Sequence, residues 1–337
     1  VAKVSEIGEF GLIDRIRARR SSQDEDVVLG IGDDCAVLRR GPVLEVLTTD
    51  CLVEGSHYEH GWLSMVDIGW KALAVNVSDI AAVGGIPKHA LITLLLPDDF
   101  TTGQIDDIYD GLEACGKETG VAIVGGDIVR TTGPFAISVA LAGVCERDEL
   151  VLRSGARSGD TIVVTGNLGD ASVGLRHLKE KEAGSESDAI KKALERFRRP
   201  VPRLKESRII VQQLQPTSMI DISDGLLSDL WHILEASNAG ALLESSDIPV
   251  GPSVVDFFAG SMEEAVSQAL AGGEDYELLF TVGSRGEAGL AAVTEKAGVK
   301  LTPIGKITAK GGGMKLAVGG RETDVGRGGF DHFKSVS

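Results

Sequence analysis

The chain has 337 residues, 50 of them acidic and 34 basic, for a formal net charge of -16, with 43% hydrophobic and 4% aromatic residues. That length exceeds one ordinary core and fits two domains, while the negative charge and scarce aromatic rings exclude a nonspecific nucleic-acid binder and a partner of anionic membranes. No apolar run approaches the roughly 18 residues of a membrane span, and residues 1–6 lack a signal peptide's apolar core, so a cytoplasmic protein is expected.

Residues 5–20 set Ile7, Phe10, Leu12, Ile13 and Ile16 among charges and predict a short amphipathic helix. Residues 27–38 read as a strand, a Gly30-Ile31-Gly32 turn carrying Asp33 and Asp34, and a second strand. The apolar strand at 43–47 delivers Thr48, Thr49 and Asp50, with His57 a short loop later. Oxygen donors crowded at a sheet's edge suit a small-molecule site, and such hard ligands suit Mg²⁺. Asp67 is the expected N-cap of a helix over 68–82, on which Asn76 and Asp79 share a face. A Gly84-Gly85-Ile86-Pro87 turn ends it, and residues 90–96 form an apolar strand. A helix over 102–119 leads to a strand at 121–124, which ends at Gly125-Gly126-Asp127, and residues 135–144 form another buried strand.

The charged, turn-rich stretch 146–160 marks a boundary between an N-terminal domain, 1–148, and a C-terminal domain, 149–337. Strand 161–165 and helix 171–181 follow, then a polar insert through Arg199 whose 183–189 part reads as a mobile loop. Beyond lie helix 203–214, strand 218–222, helices 226–236 and 254–271, strand 276–282, helix 287–297 and strands 301–307 and 314–318. Two α/β domains in tandem summarise the pattern.

Four cysteines, Cys35, Cys51, Cys115 and Cys145, form no C-x-x-C pair, so no zinc site or disulfide framework is expected. The segment from Gly111 to Glu118 comes close to the phosphate-binding G-x-x-x-x-G-K-[ST] loop, but Glu118 replaces the Mg²⁺-binding hydroxyl and the segment lies inside a predicted helix. Gly166-Asn167-Leu168-Gly169 fits either phosphate at a helix N-terminus or a plain turn. Asp33-Asp34 fits a turn or a metal site. Asp79, on a largely apolar helix, needs a cation or hydrogen-bond donors if buried. Convergence of Asp34, Asp50, Asp79, Asp127, Asp221 and Asp224 on divalent cations accounts for all of them together. His57 fits contact with an anionic substrate, and Glu274-Asp275 fits either a turn or a substrate contact.

Gly30-Ile31-Gly32-Asp33-Asp34, Thr49-Asp50 with His57, the run from Lys71 to Asp79, Gly125-Gly126-Asp127, Arg153-Ser154-Gly155-Ala156, the run from Ile220 to Leu226 and the run from Gly272 to Leu278 resemble the thiamine-monophosphate kinase family. The resemblance extends from Gly8-Glu9-Phe10 to Phe330 and His332. It implies ATP-dependent phosphorylation of thiamine monophosphate to thiamine diphosphate, the last step in making that cofactor, by direct in-line transfer with several Mg²⁺ ions. It also implies an aminoimidazole-ribonucleotide synthetase-like α/β (α+β) fold in two domains, with the N-terminal sheets pairing across a homodimer. On matching positions it assigns Asp34, Thr48, Thr49, Asp50, Asp79, Asp127, Asp221 and Asp224 to Mg²⁺. Gly126, Arg153, Ser223 and Tyr109 are assigned to ATP, and His57, Glu274 and Phe330 to the thiamine moiety or its phosphate. Asp50, Asp79 and Asp127 are central, and no residue is assigned as general base. The alternatives are a related ATP-dependent synthetase that activates an amide or carbonyl oxygen, and a noncatalytic nucleotide or thiamine sensor.

The chemistry agrees with that assignment. A phosphate monoester has a second pKa of about 6, so the acceptor is largely dianionic at neutral pH and already nucleophilic. Repulsion between two polyanions is the obstacle. His57 and Arg153 are therefore expected to position charge without carrying protons.

Overall fold

Strands that alternate between buried and more exposed positions form the centre of the first of two sheets, and three strands buried along their whole length form one side of the second. The computed structural model describes residues 4–19, 24–180 and 187–328. Its first half runs α1 (Val4–Arg17), β1 (Val27–Leu29), β2 (Ala36–Arg40), β3 (Val43–Val53), α2 (Met65–Ala82), β4 (Ile86–Leu96), α3 (Thr102–Thr119), β5 (Ala122–Arg130) and β6 (Ala136–Cys145). The sheet order is β1-β2-β3-β6-β4-β5. Its pairs are antiparallel except β4 with β5, which the α3 crossover makes parallel.

The second half runs β7 (Thr161–Thr165), α4 (Asp170–Glu180), α5 (Asp188–Arg198), α6 (Leu204–Leu214), β8 (Ser218–Asp221), α7 (Leu226–Ser237), β9 (Gly240–Glu244), α8 (Pro252–Phe257), α9 (Met262–Ala271), β10 (Leu278–Val282), α10 (Ser284–Ala297), β11 (Leu301–Thr308), β12 (Met314–Val318) and β13 (Arg321–Asp324). Its sheet order is β13-β12-β9-β11-β7-β10-β8. Every residue of β7, β8 and β10 is buried, as expected of strands covered on both faces.

Helix α2 joins the halves. It packs on α3, β3 and β6 of the first sheet's unit and on α6 and β8 of the second, and accordingly it is apolar almost all round. Its N-cap is Ser64, not the expected Asp67. Ser64 Oγ accepts from Asp67 N at 3.1 Å and Asp67 Oδ2 accepts from Ser64 N at 3.2 Å, a reciprocal capping box that starts the helix earlier. Against α3 the contact is backbone to backbone. A Cβ on Gly69 would lie 1.9 Å from Ile108 O, and one on Gly111 would lie 2.0 Å from Val66 O. Gly111, the first glycine of the near-miss phosphate loop, is thus a packing glycine inside α3.

Several expected boundaries move for identifiable reasons. Strand β3 does not stop at Leu47: β6 pairs with it from Leu44 through Val53, so Thr48, Thr49 and Asp50 lie within the strand. Pro87 belongs to β4, at an irregularity in the register with β6, where a missing N–H is tolerated. Strand β5 continues through Gly125, Gly126 and Asp127, because Gly126 lets β4 approach so closely that a Cβ would meet Ile92 O at 1.8 Å. The single helix expected over 254–271 is two, α8 and α9, broken where Ala259 and Gly260 take φ of 49° and 86°. Strands β9 and β13 form where no strand is expected. The 183–186 part of the expected mobile loop lies outside the described residues, and Ser187 caps α5. Among the described residues no helix is long and apolar enough to cross a membrane.

The α2–α3 contact makes a direct prediction. Gly111→Ala should lower the unfolding free energy by about 1–3 kcal/mol through overpacking, measured by urea denaturation. An unchanged midpoint would contradict the backbone contact.

Candidate active site

A cleft of about 1240 Å³ runs along the junction and is lined by Asp33, Asp34, Thr48, Thr49, Asp50, His57, Asp79, Arg153, Asp221, Ser223, Asp224 and Glu274. Three elements supply its centre. Asp34 comes from the turn between β1 and β2, Asp79 from the last turn of α2, and Asp221 from the end of β8, and one carboxylate oxygen of each lies within 4.8 Å of the others. The α2 turn ties them together. Thr48 Oγ1 donates to Asp79 Oδ2 at 2.5 Å, Ser78 Oγ donates to Asp221 Oδ2 at 2.6 Å, and Asn76 Oδ1 accepts from Asp50 N at 3.0 Å.

Crowding and burial dominate the electrostatics. Burial, followed by the charges of Asp50, Asp221 and Asp34, pushes Asp79 well above the ordinary carboxylate range. Burial and then Asp34 raise Asp221 to about 7, against the opposing effects of Ser78 and Arg153. Asp33 is likewise raised to about 7, by burial first and Asp34 second. Burial raises Asp34 too, although the Arg153 guanidinium hydrogen-bonds its Oδ1. Asp34 Oδ2 is buried with no hydrogen-bond partner among the described residues. Clustered carboxylates with an unsatisfied buried oxygen, bordered by threonine hydroxyls, fit a hard divalent cation such as Mg²⁺.

Around this centre the loops are held by side chains. The buried Asp229, in the first turn of α7, accepts from the N–H groups of Ser223, Asp224 and Gly225 at 3.1, 3.2 and 3.1 Å and so shapes the loop leaving β8. Its only local signal is that of an acidic residue set among Leu226, Leu227 and Leu230. Arg153 N donates to Asp33 Oδ2 at 3.1 Å, fixing that arginine at both backbone and side chain. His57 Nδ1 accepts from Val53 N at 2.9 Å, so the neutral ring carries its proton on Nε2.

The acidic segment before β10 is anchored residue by residue. Glu274 Oε2 lies 2.6 Å from Lys71 Nζ, Asp275 Oδ2 accepts from Gly169 N at 2.8 Å, and Glu277 Oε2 accepts from Thr165 Oγ1 and Arg203 Nε, each at 2.6 Å. Of the two readings of the turn before α4, the structure therefore shows a turn whose Gly169 N–H is held by a protein carboxylate. Gly126, Asp127 and Tyr109 do not line the cleft. The first two sit on the edge strand β5, and Tyr109 packs from α3 against the N-terminal core. Asp127 is not at a strand end, and its Oδ1 accepts from Ile128 N at 2.9 Å. Phe330 lies outside the described residues.

Residues 32–145 match the AIR synthase related protein, N-terminal domain, and residues 157–316 match the AIR synthase related protein, C-terminal domain. The chain is 36% identical over 328 residues to the thiamine-monophosphate kinase of Escherichia coli (strain K12), covering 97% of this chain and 98% of that one. It is 34% identical to the thiamine-monophosphate kinase of Bacillus subtilis (strain 168), covering 90% of this chain and 92% of the other. The structure described as AaThiL complexed with AMPPCP and TMP matches with a TM-score of 0.85 at 33% identity, covering 98% of this chain and 99% of that one.

The raised carboxylates fix the sign of a pH effect. Between the unfolded value of 3.8 and about 7, Asp33 and Asp221 bind more protons in the folded metal-free protein than in the unfolded chain, so stability falls as pH rises through that window. His232, whose pKa burial lowers from 6.5 to about 3, opposes this with a single proton. In EDTA the melting temperature should therefore drop from about pH 6.5 to about pH 8, and added Mg²⁺ should recover more of it at the higher pH. Equal Mg²⁺ stabilisation at both would contradict a carboxylate site.

Proposed function

This chain belongs to the thiamine-monophosphate kinase family of AIR synthase related proteins, and from that membership we propose how its cleft divides the work of one phosphoryl transfer. The protein is an enzyme that uses ATP to phosphorylate thiamine monophosphate to thiamine diphosphate. The observation that carries the proposed mechanism is the buried convergence of Asp34, Asp79 and Asp221.

In this reading Asp34, Thr48, Thr49, Asp50, Asp79, Asp221 and Asp224 hold several Mg²⁺ ions. Bound there, the cations would neutralise the repulsion between ATP and the acceptor phosphate and align their oxygens. The protein's own groups do the rest. Arg153, pinned by Asp33 and Asp34, offers guanidinium donors to the ATP phosphates, and Ser223, on the loop shaped by Asp229, contacts the nucleotide. His57 presents Nε2–H as a fixed donor to the acceptor. No side chain has to remove a proton, since the acceptor is already a dianion with a second pKa of about 6. Glu274 faces the cationic thiamine moiety, and Phe330 is assigned there from the motif alone.

Gly126, Asp127 and Tyr109 enter this reading through a second copy of the chain. Strand β5 is an edge strand, exposed at nearly every position, with Val124, Ile128 and Val129 at 58%, 66% and 42% exposure. A long exposed apolar edge is a liability in a lone chain. Pairing of two N-terminal sheets in a homodimer covers it and carries Asp127 toward the partner's cleft. The four cysteines are free thiols, in keeping with a reducing cytoplasm.

Asp50→Ala should lower kcat about a hundredfold or more at saturating Mg²⁺. Asp127→Ala should do the same, yet mixing the two inactive proteins under subunit exchange should restore activity, to about a quarter of the wild-type value, because one site in each mixed dimer is intact. No recovery would place Asp127 in the site of its own chain. His57→Ala should raise the KM for thiamine monophosphate about tenfold and that for ATP much less. If that variant instead erased an ionisation near about 6.5 from the pH–rate profile, His57 would be a proton carrier.

A further inference from the structure

We propose that Lys71 is a positioning residue for the acceptor end of the cleft, a buried ammonium that fixes the orientation of the Glu274 carboxylate. This rests on the reading of Glu274 as a contact of the thiamine moiety and deepens it. Lys71 is 2% exposed in the middle of α2. Its Nζ lies 2.6 Å from Glu274 Oε2, donates to Phe197 O at 2.8 Å, and stands 3.8 Å from the centroid of the Phe197 ring. An ammonium has three donors. Two are spent on oxygens, and the aromatic face takes the remaining side of the charge.

The carboxylate it holds sits on backbone that does not hold itself. Glu274 and Tyr276 have φ of 72° and 50°, in the left-handed region that side chains other than glycine, asparagine and aspartate rarely adopt. The loop is clipped to the end of β8, with Glu274 N donating to Ser223 O at 2.7 Å and Tyr276 N donating to Ile222 O at 2.8 Å. Both side-chain contacts converge on a single oxygen, since Tyr276 Oη also donates to Oε2, at 3.4 Å. Oε1 has no hydrogen bond from the described residues, and the side chain is 22% exposed. One oxygen is thus restrained while the other faces an accessible space.

Stability alone is a poor reason for this arrangement. A buried ion pair contributes little net stability compared with an apolar side chain of similar size. Position supplies a better one. Lys71, Val75 and Asp79 follow one another at four-residue intervals along one face of α2, and Val75 and Asp79 line the cleft. The same rigid helix therefore carries a central metal-site carboxylate at one end and grips the acceptor-side carboxylate two turns away, which fixes the spacing between the two halves of the reaction.

The test compares Lys71→Met, Glu274→Gln and the double variant in steady-state kinetics. Lys71→Met should raise the KM for thiamine monophosphate about tenfold while leaving the KM for ATP within about twofold. The double variant should be no worse than Glu274→Gln alone, because the lysine acts through the carboxylate. A normal KM for thiamine monophosphate in Lys71→Met, or effects that multiply in the double variant, would overturn the positioning role while leaving Glu274 a substrate contact. A normal KM in Glu274→Gln would overturn both. Should Lys71→Met fail to fold, Lys71→Arg, which keeps the charge but displaces it, must show the same split between the two KM values, and its absence there would also overturn the role.

Discussion

Mutual repulsion among buried carboxylates is the constraint on which this structure turns. Oxygens of Asp34, Asp79 and Asp221 lie within 4.8 Å of one another, and each ionised pair at that distance repels by about 3 kcal/mol or more at an effective dielectric constant of about 20. Burial first and the neighbouring charges second displace Asp79 and Asp221 upward, so without a cation the cluster lowers its charge by holding protons. A fold that brings such groups together from three separate elements spends stability on the arrangement. The return is a place where two further polyanions can be brought into contact.

Helix α2 makes that arrangement rigid. Its apolar circumference lets it pack between both sheets, its Gly69 lets α3 approach to backbone contact, and its last two turns present Asn76, Ser78 and Asp79 to β3 and β8. The surrounding loops are then fixed by carboxylates outside the Asp34, Asp79 and Asp221 cluster. Asp229 gathers three N–H groups, Asp275 holds the turn before α4, and Glu277 pairs with Arg203. The acidic surplus of the chain is therefore partly structural, with individual carboxylates acting as acceptors for backbone groups that would otherwise go unpaired.

Much of the fold was legible because local signals and tertiary structure agreed. The helix over 102–119 and the strands at 161–165 and 314–318 have the expected limits, set by Gly120 and by compact apolar runs. Local signals differ among the central carboxylates: Asp79 follows Ser78 on a largely apolar helix, Asp34 follows the Gly30-Ile31-Gly32 turn by two residues, and Asp221 closes an apolar run between Ile220 and Ile222. What failed depended on partners distant in sequence. Strand β3 reads as ending where its polar residues begin, yet β6 keeps pairing with it through Asp50. Gly125 and Gly126 read as the end of a strand, and only the approach of β4 carries the strand on through them. The positions of Asp127 and Tyr109 away from the cleft follow from strand order, which no local pattern encodes. Lys71 looks like an ordinary polar residue of a helix until its partner Glu274 is seen across the domain junction, and Asp229 like one of α7 until it is seen holding the Ser223–Gly225 loop that leads into that helix.

The central claim is that the carboxylates of three elements act as one divalent-cation site. Its most direct test is Mn²⁺ binding, followed by electron paramagnetic resonance in the presence of a nonhydrolysable ATP analogue, for the wild-type protein and Asp79→Asn. The account predicts tightly bound Mn²⁺ in the wild type and loss of at least one bound ion in the variant, with the fold intact by circular dichroism. Equal stoichiometry and affinity in the two proteins would contradict it.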